Sequence, residues 1–257
     1  MLVSIIIITL NEAENIEETV KSVRLSAYFP SGIQAPIEII VSDGGSTDDT
    51  LKIAQRIADR VISGPRGRYL QLNNGAKNAH GDILLFLHAD TILPENAIIQ
   101  IINGLKDPKI IGGAFKKYWN WNPVVKRSSF LKFVSFIWQK YDNWMVRLLR
   151  AFPGDNAIFV RKSIFIEIKG YRSLWICEDL DFSDRLKKYG KKRSIYIDSA
   201  VLTSTRRFER YGFFYVIFMW LRIFWFWRLG MSQKSLKARF NKYETMPEKG
   251  NKTYLRF

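Results

Sequence analysis

Apolar residues form three short, uninterrupted runs early in the chain, and this pattern predicts buried strands. The runs cover residues 2–10, 37–41 and 83–87 and are rich in β-branched side chains. Apolar residues do not alternate with polar ones in these runs, which is typical of strands in a parallel sheet covered on both faces. We therefore predict three parallel strands in the interior of the protein.

Helical patterns separate the predicted strands. One helix is predicted over about 12–24, a second after the polar stretch 46–49, and a third over about 69–79. This alternation requires right-handed crossovers and predicts an open, doubly wound α/β sheet. Ligands in such sheets bind beyond the carboxyl ends of the strands.

The pattern is less regular in the second half. It predicts an amphipathic helix rich in aromatic and basic residues over 127–150, a strand over 157–160, a helix over 178–189 and a strand over 194–197. We expect one domain over 1–205, with a division near residue 115. Residues 206–257 would form a C-terminal aromatic and basic helical extension that ends, after residue 230, in a mobile tail.

An excess of basic residues points to an anionic partner. The 257 residues include 40 Lys and Arg against 24 Asp and Glu, a formal net charge of +16. Nucleic acid, membrane lipid and phosphorylated ligands are all compatible with this charge. A hydrophobic content of 47% indicates a globular protein. Cys177 is the only cysteine, so no internal disulfide can form, and the first residues lack the features of a signal peptide.

Polar clusters follow each of the three early strands. Thr9, Asn11 and Glu12 follow the first strand, the stretch 42–46 follows the second, and 88–90 follows the third. Because the loops after parallel strands emerge at one edge of a sheet, these clusters are expected to converge on one ligand.

Two of these clusters allow more than one interpretation. Asp43, Gly44 and Gly45 form either a plain turn or a carboxylate that bonds a base or ribose, with glycines permitting close approach. His88 and Asp90 lie on the same face of an extended segment, so both could meet one divalent ion, or one could bind metal and the other a ribose. The alternative for this pair is a turn that ends the strand.

Carboxylates also occur at the head of the helix predicted over 178–189. Glu178 and Asp179 either pair with the helix dipole or include a general base, since neighbouring carboxylates raise one another's pKa. Arg206 and Arg207 form either a solvated basic turn or a clamp on phosphate oxygens.

Four stretches, in this order along the chain, resemble the family-2 glycosyltransferases, which are inverting enzymes with the GT-A fold. They are SIIIITLNEAENI, IIVSDGGSTDDT, NNGAKNAHGDILLFLHADTILP and CEDLDFSDRLKKYG. A bacterial subgroup with HAD in place of the usual DxD is the closer match, because its members also carry sequences similar to GDNAIFVR and RRFER. The resemblance implies a Rossmann-like, mixed but mostly parallel sheet flanked by helices, with a nucleotide-binding half at about 1–115 and an acceptor half at 116–205.

The resemblance also implies roles for residues. Those placed around a UDP- or GDP-sugar donor are Thr9, Asn11, Glu12, Asp43, Gly44, Arg68, Asn73, Ala89 and Asp90. Asp43 would bond the base, and Asp90 would hold Mg²⁺ or Mn²⁺, with His88 as a second ligand. Asp179 would be the catalytic base and Glu178 the second candidate.

Four further residues are assigned by the same resemblance. Asp155 and Asn156 would lie near the acceptor, and Arg206 and Arg207 would contact the acceptor or phosphate. The sequence departs from the family pattern where Gly44 replaces the usual second Asp and His88 replaces the first carboxylate of DxD, which leaves the nucleotide and the metal open.

Residues 213–227 are almost all apolar, with Arg222 near the centre. This stretch is short for a membrane span, and its Trp residues suit a bilayer interface. We expect a helix in the headgroup region of an anionic membrane, which would make the protein cytoplasmic, peripheral at the inner face, and suited to a lipid-linked acceptor. The alternative is a helix packed on the domain or in a homodimer interface.

Two other functions compete with glycosyl transfer. A basic nucleic-acid-binding module would suit the charge, but the sequence has no RRM, KH or zinc pattern, and we do not expect a nucleic-acid partner. A nucleotidyltransferase would also use an α/β sheet with acidic strand ends, and it would release pyrophosphate.

Overall fold

A mixed sheet runs through the part of the chain that the structure, a computed structural model, describes: residues 1–121, 128–191 and 193–244. Its strands, in chain order, are β1 (Val3–Thr9), β2 (Ile37–Asp43), β3 (Arg60–Ser63), β4 (Ile83–His88), β5 (Thr91–Ile92), β6 (Gly112–Trp119), β7 (Phe159–Arg161) and β8 (Ser194–Thr203). They lie in the order β3-β2-β1-β4-β7-β6-β8-β5.

Helices cover both faces of this sheet. They are α1 (Ile16–Leu25), α2 (Thr50–Ile57), α3 (Arg68–Lys77), α4 (Ala97–Gly104), α5 (Ser129–Leu149), α6 (Lys162–Glu167), α7 (Glu178–Gly190), α8 (Arg206–Tyr211), α9 (Phe213–Arg228) and α10 (Gln233–Glu244). Alternate residues of β1 pack into different cores: Ile5 and Ile7 into one, Ile6 and Ile8 into the other. This explains why the run has no polar alternation.

The strand directions confirm the predicted fold class. The strands β1, β2, β3 and β4 are parallel, and β6 and β8 are parallel to each other. The short β7 joins these two groups because it pairs antiparallel with both β4 and β6. The division predicted near residue 115 falls within β6, so one sheet serves both halves.

The C-terminal extension packs on the domain through an aromatic cluster. Trp119 and Trp121, at the end of β6, contact Phe208 of α8 and Phe213 of α9. Helix α10 occupies part of the segment that was expected to be a mobile tail, and residues 245–257 lie outside the described residues, as does residue 127. Among the described residues, no helix has both the length and the apolar character needed to cross a bilayer.

Candidate active site

The carboxyl ends of three parallel strands meet at one edge of the sheet. In the register of β1 with its two neighbours, Thr9 lies opposite Asp43, and Ile8 lies opposite His88. The loops that follow these residues therefore leave the sheet side by side, as the sequence pattern predicts.

The carboxylate of Asp43 holds the loop after β2 through hydrogen bonds within the protein. Its Oδ1 accepts hydrogen bonds from the hydroxyls of Thr9 (3.0 Å) and Ser46, and its Oδ2 accepts from the amides of Gly45 and Ser46 (both 2.8 Å). These four bonds use the whole acceptor capacity of a carboxylate. Asp43 is also fully buried. Contact between Asp43 and the base of a donor stays a prediction.

Gly44 makes room for a side chain that the sequence did not mark. A Cβ at this position would lie 3.0 Å from the side-chain amide of Gln71. Gln71, on α3, donates hydrogen bonds from Nε2 to the carbonyls of Thr9 (2.7 Å) and Ser42 (3.0 Å). The amide thus ties the ends of β1 and β2 together, and a lone Gln in a helical pattern carries no signal of this role.

The loop after β1 is ordered by Asn11. Asn11 adopts a left-handed conformation (φ 54°), its amide donates to Oγ of Ser46 (2.9 Å), and its Oδ1 accepts from the amide of Thr47 (2.8 Å). Because Asn tolerates positive φ better than most residues, this turn explains the residue type without a ligand.

Glu12 and Asp90 meet at Arg206. The Nη2 of Arg206 lies 2.7 Å from Oε1 of Glu12 and 2.9 Å from Oδ2 of Asp90. Arg206 of α8 is more than a hundred positions from each partner along the chain. The fold thus brings it to Glu12 in the loop after β1 and to Asp90 just after β4. Ala89, between the two predicted metal ligands, packs into the core, and its carbonyl accepts from Thr19 (2.7 Å).

Asp179 begins α7 and faces the turn at Gly154. Its Oδ2 accepts a hydrogen bond from the amide of Gly154 (2.6 Å), and its Oδ1 accepts from the amide of Leu180 (2.8 Å). A Cβ at position 154 would lie 3.0 Å from Nε2 of His88 and 3.4 Å from Oδ2 of Asp179. Glycine therefore allows the imidazole and the carboxylate to pack against the same turn.

Burial lowers the pKa of His88, and the charge of Arg68 lowers it further against the opposing effect of Asp90, Asp155 and Asp179. A neutral imidazole can accept a hydrogen bond or bind a metal ion.

Glu178 lies in a different environment from Asp179. It is 2% exposed, and burial together with the charge of Asp179 raises its pKa to about 7, although Arg68, at 3.7 Å, opposes this shift. Asp179 lines a cleft of about 730 Å³, and Glu178 does not line it. Of the two carboxylates, the geometry favours Asp179 as the group that meets a substrate.

A buried lysine, which no sequence motif marks, supports the turn that carries Gly154. Lys117 of β6 is 3% exposed, and its Nζ lies 3.2 Å from Oδ2 of Asp142 and 3.3 Å from Oδ1 of Asp155. The side chain of Asn156 donates to the carbonyl of Phe115 (2.7 Å) and fixes the same turn to β6. Asp155 faces the cleft, but Asn156 is structural.

Asn73 is likewise structural. Its side-chain amide donates to the carbonyl of Tyr171 (2.8 Å), and its Oδ1 accepts from the amide of Tyr171 (2.9 Å). The side chain therefore ties α3 to the loop before α7.

One cleft of about 730 Å³ brings the remaining predicted residues together. Its charged side contains Arg68, His88, Asp90, Asp155, Asp179, Arg206 and Arg207. Its other side, from α5 and α9, is aromatic and includes Trp138, Tyr141, Trp220, Phe224 and Trp225. The cleft can therefore hold an anionic group against arginines on one side and an apolar group on the other.

Residues 4–169 match the sequence model of Glycosyl transferase family 2, which is more than half of the chain. The chain belongs to this family. Its membership supports a glycosyltransferase, and neither the nucleic-acid-binding module nor the nucleotidyltransferase receives comparable support.

Relatives in the family cover parts of the chain. An uncharacterised glycosyltransferase of Mycobacterium tuberculosis is 37% identical over 108 residues, 40% of this chain and 39% of that protein. Poly-beta-1,6-N-acetyl-D-glucosamine synthase of Staphylococcus aureus is 27% identical over 191 residues, 70% of this chain and 44% of the synthase. The matched region thus spans less than half the length of each of these relatives.

Solved structures show the same GT-A fold. S. aureus TarS 1–349 in complex with UDP has a TM-score of 0.60 at 17% identity, over 95% of this chain and 71% of that one. The mannosyltransferase PcManGT from Pyrobaculum calidifontis, in complex with GDP-Man and Mn²⁺, has a TM-score of 0.56 at 20% identity, over 78% of this chain and 56% of that one. At these identities the likeness concerns the fold alone.

The residues of the cleft suit a divalent ion only together with ligands from outside the protein. Within the described ranges, no three His, Cys, Asp or Glu side chains converge on a metal-sized site. His88 and Asp90 nevertheless line the same cleft. One carboxylate and one neutral imidazole are sufficient for an ion whose other ligands are diphosphate oxygens and water.

The environment of Glu178 predicts a pH-dependent effect on stability. Because its folded-state pKa is raised from 4.5 to about 7, its stabilising contribution is complete below pH 4.5 and is lost as the pH rises through 7. We expect Glu178→Gln to raise the melting temperature by a few degrees, of the order of 2–6 °C, at pH 8 and by much less at pH 5. Scanning fluorimetry at both pH values measures this difference, with the exposed Glu17→Gln as control. An equal shift at pH 5 and pH 8 would contradict the assignment.

Proposed function

We propose that the protein transfers a sugar from a UDP- or GDP-sugar to an acceptor hydroxyl, with inversion at the anomeric carbon. The observation that carries this proposal is that Asp179, Asp90 and Arg206 line one cleft in a chain of glycosyltransferase family 2. The similar proteins solved with UDP or GDP-Man support the choice of donor.

Asp179 would be the catalytic base. Each of its carboxylate oxygens accepts one backbone hydrogen bond, from Gly154 or Leu180, which leaves one lone pair on each for an acceptor hydroxyl. Proton removal by a base opposite the leaving diphosphate gives single displacement, so an α-linked donor would yield a β-linked product.

Asp90 and His88 would hold Mg²⁺ or Mn²⁺, which when bound supplies a Lewis acid for the leaving diphosphate. Arg206 and Arg207 line the same cleft and would contact phosphate oxygens. Arg206 is held by Glu12 and Asp90, so it would exchange these carboxylates for phosphate as the donor binds. Arg68 would lie at the base or the diphosphate.

The acceptor would be a hydroxyl on a lipid or a lipid-linked sugar. The aromatic side of the cleft favours an apolar group beside the reacting hydroxyl. The exposed aromatic residues of α9, together with its arginines, support peripheral attachment of the protein to the inner face of a membrane.

Removal of the proposed base should abolish turnover. We expect Asp179→Asn to lower kcat by roughly 10²–10⁴-fold, because the amide cannot take the acceptor proton. Release of UDP or GDP from a panel of nucleotide sugars, with extracted membrane lipids as acceptor, measures turnover. Asp184→Asn, on the same helix but paired with Arg228, is the matched control. Near-normal turnover by a folded Asp179→Asn protein would exclude this base.

Donor binding should depend on metal through Asp90. We expect UDP- or GDP-sugars to raise the melting temperature more with Mn²⁺ than without it, since a ligand that binds the native state stabilises it by mass action. Asp90→Asn should abolish the additional rise in melting temperature that Mn²⁺ gives. Thermal shifts that are the same with and without Mn²⁺ in the unmodified protein would contradict a metal at this site.

A further inference from the structure

Helix α5 has its polar side chains on the inside. Ser135, Gln139 and Asn143 are buried against β6. Gln139 accepts a hydrogen bond from the amide of Trp119 (3.0 Å) and donates to the carbonyl of Lys117 (2.8 Å), to which Asn143 also donates (2.9 Å). These bonds fix the rotation of the helix, because turning it would leave buried amides and strand carbonyls unpaired.

The opposite face of α5 is apolar and exposed. Its exposed apolar residues are Phe130, Phe133, Phe136, Ile137, Tyr141, Trp144, Leu148 and Leu149, and the basic residues Lys132, Lys140 and Arg147 are exposed on the same helix. Most of the apolar residues are spaced by three or four positions and form one stripe, about 27 Å long at 1.5 Å per residue. A surface helix normally shows the reverse arrangement, so this face requires an apolar environment outside the domain.

Helix α9 adds a second stripe beside the first. Its exposed apolar residues are Phe214, Phe218, Leu221 and Trp225. Its inner residues Phe213, Val216 and Met219 belong to an aromatic cluster against which Leu131 and Trp138 of α5 also pack. The two helices therefore share one core, present their outer stripes to solvent, and flank the cleft.

Basic side chains lie among these exposed rings. The Nζ of Lys140 lies 4.4 Å from the ring of Phe136, and the guanidinium of Arg222 lies 5.4 Å from that of Phe218. Aromatic and basic residues on one surface suit the headgroup region of an anionic bilayer. A second copy of the chain would bring another net charge of +16 to the contact, which opposes self-association.

We propose that the outer faces of α5 and α9 form one surface that docks on an anionic lipid bilayer. The inference rests on the peripheral attachment proposed for α9 and extends it to α5, which the sequence marked only as amphipathic. Because both helices line the cleft, docking would bring its aromatic side to the bilayer, where a lipid acceptor enters.

Sedimentation with vesicles tests the surface. Vesicles of phosphatidylcholine with and without phosphatidylglycerol are the probe, and the protein is the full chain. The variants are Phe133→Gln with Trp144→Gln on α5, and Phe214→Gln with Phe218→Gln on α9. Leu25→Gln with Ile166→Gln, which replaces equally exposed apolar residues on α1 and α6, is the matched control.

The expected result is binding to anionic vesicles that falls about tenfold in the α5 variant and in the α9 variant but not in the control. The replaced residues do not line the cleft, so the thermal shift with nucleotide sugar should not change, and this measurement also confirms folding.

Each of the other outcomes contradicts a specific part of the docking proposal. Loss of binding in the α9 variant alone overturns the role of α5 and leaves the attachment through α9. Absence of vesicle binding in the unmodified protein overturns the role of α5 and the attachment through α9. The Asp179→Asn experiment then tests glycosyl transfer separately. Equal binding to neutral and to anionic vesicles overturns the preference for anionic lipid. A concentration-dependent dimer that the α5 variant abolishes, without vesicle binding, identifies a second copy as the partner.

Discussion

The in-register parallel pairing of β1 with β2 and β4 is the constraint on which the candidate site depends. It brings the loop of Asn11 and Glu12, the loop held by Asp43, and the pair His88 and Asp90 to one edge of the sheet. A shift of one residue in any of these strands would turn its buried side chains to the opposite face. Since both faces of β1 pack into filled apolar cores, such a shift would force both cores to repack.

Sequence patterns predicted the early strands and the order of the loops, because burial on both faces leaves a direct mark on residue type. They could not predict which polar side chains face a ligand. Asp43 and Asn73 belong to recognisable motifs, yet their side chains bond other groups of the protein, and Gln71 and Lys117 carry no motif at all. Whether a buried polar group finds a hydrogen-bond partner within the protein depends on residues that are distant in sequence.

Helix α5 shows the same limit of periodicity. A stripe with a spacing of three and four residues predicts a helix, but it does not say which side of that helix faces the domain. The orientation is fixed by Gln139 and Asn143, which donate hydrogen bonds to the backbone carbonyl of Lys117. Burial alone would lower the pKa of Lys117, and the carboxylates of Asp142 and Asp155 outweigh this effect and raise it. A paired cation therefore joins α5 to the turn at Gly154, and that turn donates to Asp179.

The two adjacent carboxylates at the start of α7, Glu178 and Asp179, lie in different environments. Glu178 points into the protein, where burial raises its pKa to about 7, so near neutral pH it is partly protonated and its repulsion of Asp179 is reduced. Asp179 faces the cleft and is held by two backbone amides. Neighbouring acids whose environments differ in this way can take different roles, one structural and one chemical. The helix start thus presents the Asp179 carboxylate to the cleft while the raised pKa of Glu178 limits the negative charge buried beside it.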